Sequence, residues 1–128
     1  MTVARQELGR RGEAEARAFL RRHGVRILAA NFTSPVGEID LIGTADDRLL
    51  FIEVKTRTSD AFGPPQLAVH HRKQQQIVKA AHTYLAAQRR SEVACRFDVV
   101  TVTFGRQTDP PRVEWVQDAF PAEGVRVW

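Results

Sequence analysis

Cysteine is nearly absent from this chain: Cys95 is the only one in 128 residues, so no internal disulfide can form. Set in an apolar stretch, it reads as a small buried hydrophobe rather than a reactive thiol, and a reducing compartment fits. Long apolar runs are missing too, since stretches such as Leu49–Ile52 are far too short to span a bilayer. Met1–Arg11 carries charge with no apolar core of signal-peptide length behind it. The expectation is therefore a cytoplasmic protein that is neither exported nor membrane-embedded. No segment is rich enough in Pro, Gly or Ser to read as an interdomain linker, and there are no internal repeats. Metal-binding histidine patterns are lacking as well. His70 and His71 are adjacent and point apart on a helix, His82 sits mid-helix, and His23 near a helix end complements the dipole, so no metal role falls to any histidine. No stripe of interleaved aromatic and basic residues occurs, so Trp115 reads as ordinary packing and Trp128 as a mobile end.

What is present is ordinary for a globular chain. A length of 128 residues, 43% of them hydrophobic and 27% charged, is enough for one compact domain with one core and too little for two. The 19 basic residues against 15 acidic give a net charge of +4, and most of the basic ones are Arg, whose planar fork matches phosphate oxygens. That balance favours a polyanionic partner without requiring one, because an Arg-heavy composition also follows genome base content.

Apolar or small residues at Leu8, Gly12, Ala16, Phe19 and Leu20 predict an amphipathic helix over Ala4 to about His23, with Gly24 as its stop. Val25–Phe32, Glu38–Gly43 and Leu49–Thr56 predict three strands, joined by turns at Ser34–Gly37 and Ala45–Arg48. Arg57–Pro65 reads as an irregular surface loop. A second helix runs to about Arg89 with Ile77, Ala80, Ala81, Tyr84 and Leu85 on one face, and Arg96–Phe104 and Arg112–Val116 predict two more strands. The order implies an α/β fold, a mixed sheet with helices packed on it.

The second and third strands carry the chemistry. Alternation puts Glu38 and Asp40 on one face of the second, with Ile39 and Leu41 opposite, and Glu53 and Lys55 on one face of the third. A four-residue loop at Ala45–Arg48 pairs Thr44 with Leu49, so Asp40 falls opposite Glu53 and Glu38 opposite Lys55. Two carboxylates side by side repel unless something positive lies between them. Oxygen-only ligands point to Mg²⁺ or Mn²⁺ rather than zinc. A neighbouring lysine can orient or help deprotonate an attacking water and stabilise charge on an attacked phosphate. The plain alternative is a solvated sheet face with Glu38 and Lys55 as a cross-strand ion pair. Against it, Ile42, Leu49 and Phe51 continue the same face as apolar residues, which leaves the polar groups clustered at the rim of a buried surface.

The residues Gly37-Glu38-Ile39-Asp40-Leu41-Ile42 and Phe51-Ile52-Glu53-Val54-Lys55-Thr56-Arg57 resemble the YraN-like family of uncharacterised bacterial proteins. Gly12-Glu13 with Ala16 and Leu20, Asn31-Phe32, Phe62-Gly63 and Arg96-Phe97-Asp98-Val99-Val100 extend the resemblance from about Gly12 to Val102. The family in turn resembles the PD-(D/E)XK nucleases and the archaeal Holliday-junction resolvases, which implies a restriction-endonuclease-like single domain. By that resemblance Asp40 and Glu53 are metal ligands, Lys55 is the catalytic lysine, and Glu13 is a further ligand from the first helix. Ile39 stands where the superfamily pattern has Pro. Periodicity alone does not choose between Glu13 and Glu15, and either can instead pair with an Arg at helical spacing.

Arg57, Arg72 and Lys73 flank the expected site and are candidates for gripping backbone phosphates, each with a solvated basic surface as its alternative. Asp98, at the start of the fourth strand, reads as a structural residue, with a buried, hydrogen-bonded orienter near the site as its alternative. The expectation is a Mg²⁺- or Mn²⁺-dependent endonuclease acting on DNA, with branched or junction DNA among the candidate substrates and a homodimer by analogy. The alternative is a non-catalytic nucleic-acid-binding module on the same fold. A weaker idea, a scaffold joining a larger complex through its C-terminal strand, rests on Val113, Trp115, Val116 and Phe120.

Overall fold

The computed structural model describes residues 2–58, 69–89, 93–106 and 108–121. Helix α1 (Val3–Arg22) begins at Thr2, whose hydroxyl accepts from the Arg5 amide, and ends as Gly24 takes a φ of +89° that side chains disfavour. Strands β1 (Arg26–Ser34), β2 (Gly37–Ala45) and β3 (Arg48–Arg57) form the meander, α2 (His71–Ala87) crosses over, and β4 (Ala94–Thr103) and β5 (Arg112–Phe120) follow. The strands lie in sequence order in a single sheet. Only β3 and β4 are parallel, since α2 separates them and carries the chain back to the same end of the sheet. This is the α/β arrangement the sequence predicts. No helix among the described residues is long and apolar enough to cross a membrane.

The helices cover opposite faces. On one, Ile77, Ala80, Ala81, Tyr84 and Leu85 of α2 pack on Ile42, Leu49, Phe51, Phe97 and Val99. Phe51, Phe97 and Phe120 stack in a row across β3, β4 and β5, with centroids 5.4 and 5.1 Å apart. On the other, Ala16 and Leu20 of α1 pack on Leu41, Leu50, Ile52, Val100 and Val102. Phe120 is thus core, and β5, four residues longer than expected, uses its apolar side chains within the domain. The C-terminal scaffold idea loses its basis.

Gly12 sets how closely α1 sits on the sheet. A Cβ there would lie 2.7 Å from Thr56 Cγ2 and 2.8 Å from Thr56 Cβ, and so short a side chain cannot swing away. Alanine gains up to ~1 kcal/mol of helix propensity, but overpacking costs ~1–3 kcal/mol, so Gly12→Ala is expected to destabilise the fold. A lowered urea midpoint with unchanged slope is the readout.

Three readings of the hairpin are corrected. The β2–β3 turn is the two-residue Asp46-Asp47, with φ of 51° and 60° and Ala45 paired with Arg48, because a doubly left-handed turn matches strand twist better than a wider loop. The predicted register holds from there to Leu41 and Ile52, where the ladder stops. Glu38 pairs with Thr33 of β1 instead of Lys55. Alternation also breaks at Asp40: Ile39 and Ile42 both face α2, while Leu41 faces α1. The same break occurs in β1 at Asn31, which has a φ of 54° and stands across from Asp40 between the pairs Ala30–Leu41 and Phe32–Ile39. The expected loop from Arg57 to Pro65 lies outside the described residues from 59 onward, as does Trp128.

Asp98, fully buried, accepts from Arg96 Nε and Nη2 at 2.8 Å each, from Trp115 Nε1 at 2.9 Å and from the Asp118 amide at 2.9 Å. These bonds pin β5 where its pairing with β4 slips by two residues. Asp98 therefore serves the fold, and Trp115 packs by its edge on Phe19.

Candidate functional site

Where the β2–β3 ladder stops, a carboxylate takes over. Asp40 Oδ2 accepts from the Val54 amide at 2.8 Å, so the side chain satisfies a backbone donor that the neighbouring strand has abandoned. This locks the Asp40 carboxyl against the edge of β3, beside Glu53. Glu53 is 5% exposed and lies against the Asp40 carboxyl. Two carboxyl oxygens can bond only through a proton.

The electrostatics follow from that contact. Burial, then the hydrogen bond to Asp40 and its nearby charge, push the Glu53 carboxyl up to about 8, against the pull of Lys73 and Lys55. Near neutral pH the pair thus retains a proton where a divalent cation would sit. Lys73, in the first turn of α2, places Nζ 3.7 Å from Glu53 Oε2. Gly37 permits this approach, because a Cβ there would lie 2.7 Å from the Gln76 carbonyl oxygen of α2. Lys55, two residues along β3 from Glu53, is half-buried on the same face.

Glu13 stands apart from the pair. Its Oε1 accepts from Asn31 Nδ2 at 3.0 Å, and Arg17 Nη2 lies 3.9 Å away. Asn31 is the residue across from Asp40 in the β1–β2 register, so this bond ties Glu13 to the strand position beside the carboxylate pair. Between the two helical acids this bond distinguishes Glu13 from Glu15. Among the described residues no three His, Cys, Asp or Glu side chains converge as a ready-made metal cage. The donors present, a touching Asp and Glu with no nitrogen or sulfur ligand, fit a hard ion such as Mg²⁺, which binds one or two carboxylates and keeps its waters.

The three candidate phosphate contacts separate. Arg72 is exposed on the first turn of α2, and Lys73 is turned in to Glu53. Arg57 is 7% exposed and donates from Nε to Thr103 Oγ1 at 3.3 Å, so it is built into the end of the sheet rather than presented on a surface. Sequence reasoning missed the part played by Asn31. Its signal was available, since Asn is among the few side chains that tolerate a left-handed backbone inside a strand.

A model of the uncharacterised protein family UPF0102 matches residues 12–102. A relative from Geobacter metallireducens is 46% identical over 120 residues, 94% of this chain and 97% of its own length. Another, from Syntrophotalea carbinolica, is 44% identical over 97% of this chain and 99% of its own length. A Pseudomonas aeruginosa protein is 38% identical over 91% of this chain and 94% of its own. All three carry only the family designation. The matched residues take in Glu13, the whole acidic hairpin and α2, and the chain belongs to the uncharacterised protein family UPF0102.

Proposed function

We propose that the protein is a Mg²⁺- or Mn²⁺-dependent nuclease that hydrolyses phosphodiester bonds of DNA. The observation that carries this reading is the Asp40–Glu53 pair: two adjacent carboxyls, one fixed by the Val54 amide and the other buried with its pKa pushed up to about 8, with Lys73 and Lys55 beside them. A carboxyl buried as deeply as Glu53 is costly to desolvate, so its place in the sheet calls for a reason beyond packing. A buried carboxyl with a raised pKa, beside a second carboxyl and two lysines, is the kind of group that clusters at functional sites.

Asp40 and Glu53 would hold the ion, which when bound supplies Lewis acidity at a phosphoryl oxygen. Asp40 is fixed by the Val54 amide and keeps its geometry as Glu53 gives up its proton. Glu53 then offers a full carboxylate from the middle of β3, where the backbone pairing with β4 limits its movement. Lys55 Nζ orients the attacking water and donates to the phosphate oxygen on which charge builds. Lys73 balances Glu53 when that carboxyl is ionised. Arg72, exposed on the same turn of α2, grips the DNA backbone and makes binding weaken with salt.

A panel of labelled single-stranded, duplex, flap and four-way-junction DNAs, incubated with Mg²⁺ or Mn²⁺, tests the reading. Metal-dependent cleavage of at least one substrate is expected. Binding without cleavage across the whole panel would instead support a non-catalytic nucleic-acid-binding module.

A further inference from the structure

Thr101 of β4 is fully buried, and its hydroxyl has no hydrogen-bond partner. It is the only such side-chain group among the described residues. Buried hydroxyls are rarely left so, because losing water without a replacement bond is costly. Its position gives the omission a meaning. In the parallel register of β3 and β4, Thr101 lies directly beside Lys55, as Val99 lies beside Glu53. Val99 faces α2, so Thr101, two residues on, faces the same side as Glu53 and Lys55.

The next rung on the same face of that ladder, two residues on, repeats the arrangement with a different outcome. Arg57 lies beside Thr103, and there the cation of β3 is bonded to the threonine of β4, Nε to Oγ1 at 3.3 Å. On the Lys55–Thr101 rung the corresponding bond is not made. Adjacent strands are ~4.8 Å apart, a gap that a lysine stem crosses by a change of rotamer.

From the open rung beside the closed one we infer that Thr101 is a positioning residue for Lys55, an inference that rests on the nuclease reading above. Its hydroxyl is the acceptor that Lys55 Nζ takes up when a phosphodiester is bound. That bond fixes one of the three ammonium hydrogens on the sheet and aims the others at the attacking water and the phosphate oxygen. The ground state leaves the acceptor unfilled, so the bond forms where it helps the reaction and not before.

Single-turnover cleavage of the best substrate by wild type, Thr101→Val and Thr101→Ser tests this, together with DNA affinity and the thermal midpoint of each. Valine keeps the shape and removes only the orphan hydroxyl. Thr101→Val is expected to cleave ~10–100-fold more slowly, the cost of a misaimed group, with DNA affinity unchanged and a midpoint equal to or above wild type. Thr101→Ser is expected to recover most of the rate. Thr101→Val cleaving as fast as an active wild type overturns the inference alone, and a wild type inert on every DNA overturns it together with the nuclease reading. A lowered midpoint for Thr101→Val assigns the hydroxyl to the fold and also overturns it.

Discussion

Asp40→Ala is expected to abolish both metal binding and DNA cleavage, while Lys55→Ala abolishes cleavage and leaves metal binding intact. The two residues differ in what holds them. Asp40 lies beside Glu53 and accepts from the Val54 amide at 2.8 Å, so its loss removes one oxygen ligand and loosens the strand that carries the other. Lys55 touches the site through its charge on Glu53 and takes no part in holding an ion. Removing a group that stabilises developing charge costs ~10²–10³ in rate, and the effect grows when water orientation is lost as well. Equal loss of metal affinity in both variants would show that Lys55 shapes the ion site rather than the chemistry. A Lys55→Ala protein that cleaves normally would remove the lysine from the mechanism.

The second large effect is on pH. The Glu53 carboxyl is raised to about 8 from an ordinary 4.5, so between those values the folded protein holds a proton that the unfolded chain has released. The resulting stabilisation is fully present below about pH 4.5 and is lost as pH rises through about 8, at up to ~1.4 kcal/mol per pH unit. Other groups titrate over the same range, so the comparison that isolates this one is with Glu53→Gln, which keeps the shape and cannot ionise. Without added metal, the stability of Glu53→Gln is expected to fall less steeply with pH than that of wild type, and the variant should be the more stable above pH 8. Added Mg²⁺ is expected to stabilise wild type more at pH 8.5 than at pH 6, and the variant at neither. Parallel pH profiles for the two proteins would show that Glu53 is not the titrating group.

The hairpin was the most legible part of the molecule, because its two-residue period leaves little freedom once one face is buried. The register read from Thr44 and Leu49 holds through Leu41 and Ile52, and all five residues assigned to the buried face of α2 are buried. The opening of that hairpin was not legible. It depends on left-handed backbone at Asn31 and on a side-chain bond from Asp40 to Val54, neither of which changes the pattern of apolar and polar residues. The inward turn of Lys73 and the burial of Arg57 were equally hidden. Both follow from α2 crossing over to make β3 and β4 parallel, a contact between segments distant in sequence, and short basic stretches look the same whether they end in water or against a carboxylate. The length of β5 was missed for a local reason: Asp118, at a φ of 54°, reads as a turn residue but is a bulge held by Asp98.

The measurement that bears most directly on the Asp40–Glu53 pair as a cation site is a calorimetric titration with Mn²⁺ at pH 7 in buffers of different ionisation enthalpy. Binding is predicted to be saturable in wild type, absent in Glu53→Gln, and accompanied by release of the proton the pair shares, seen as a dependence of the heat on the buffer. No binding by folded wild-type protein, or binding that Glu53→Gln retains, would contradict the account.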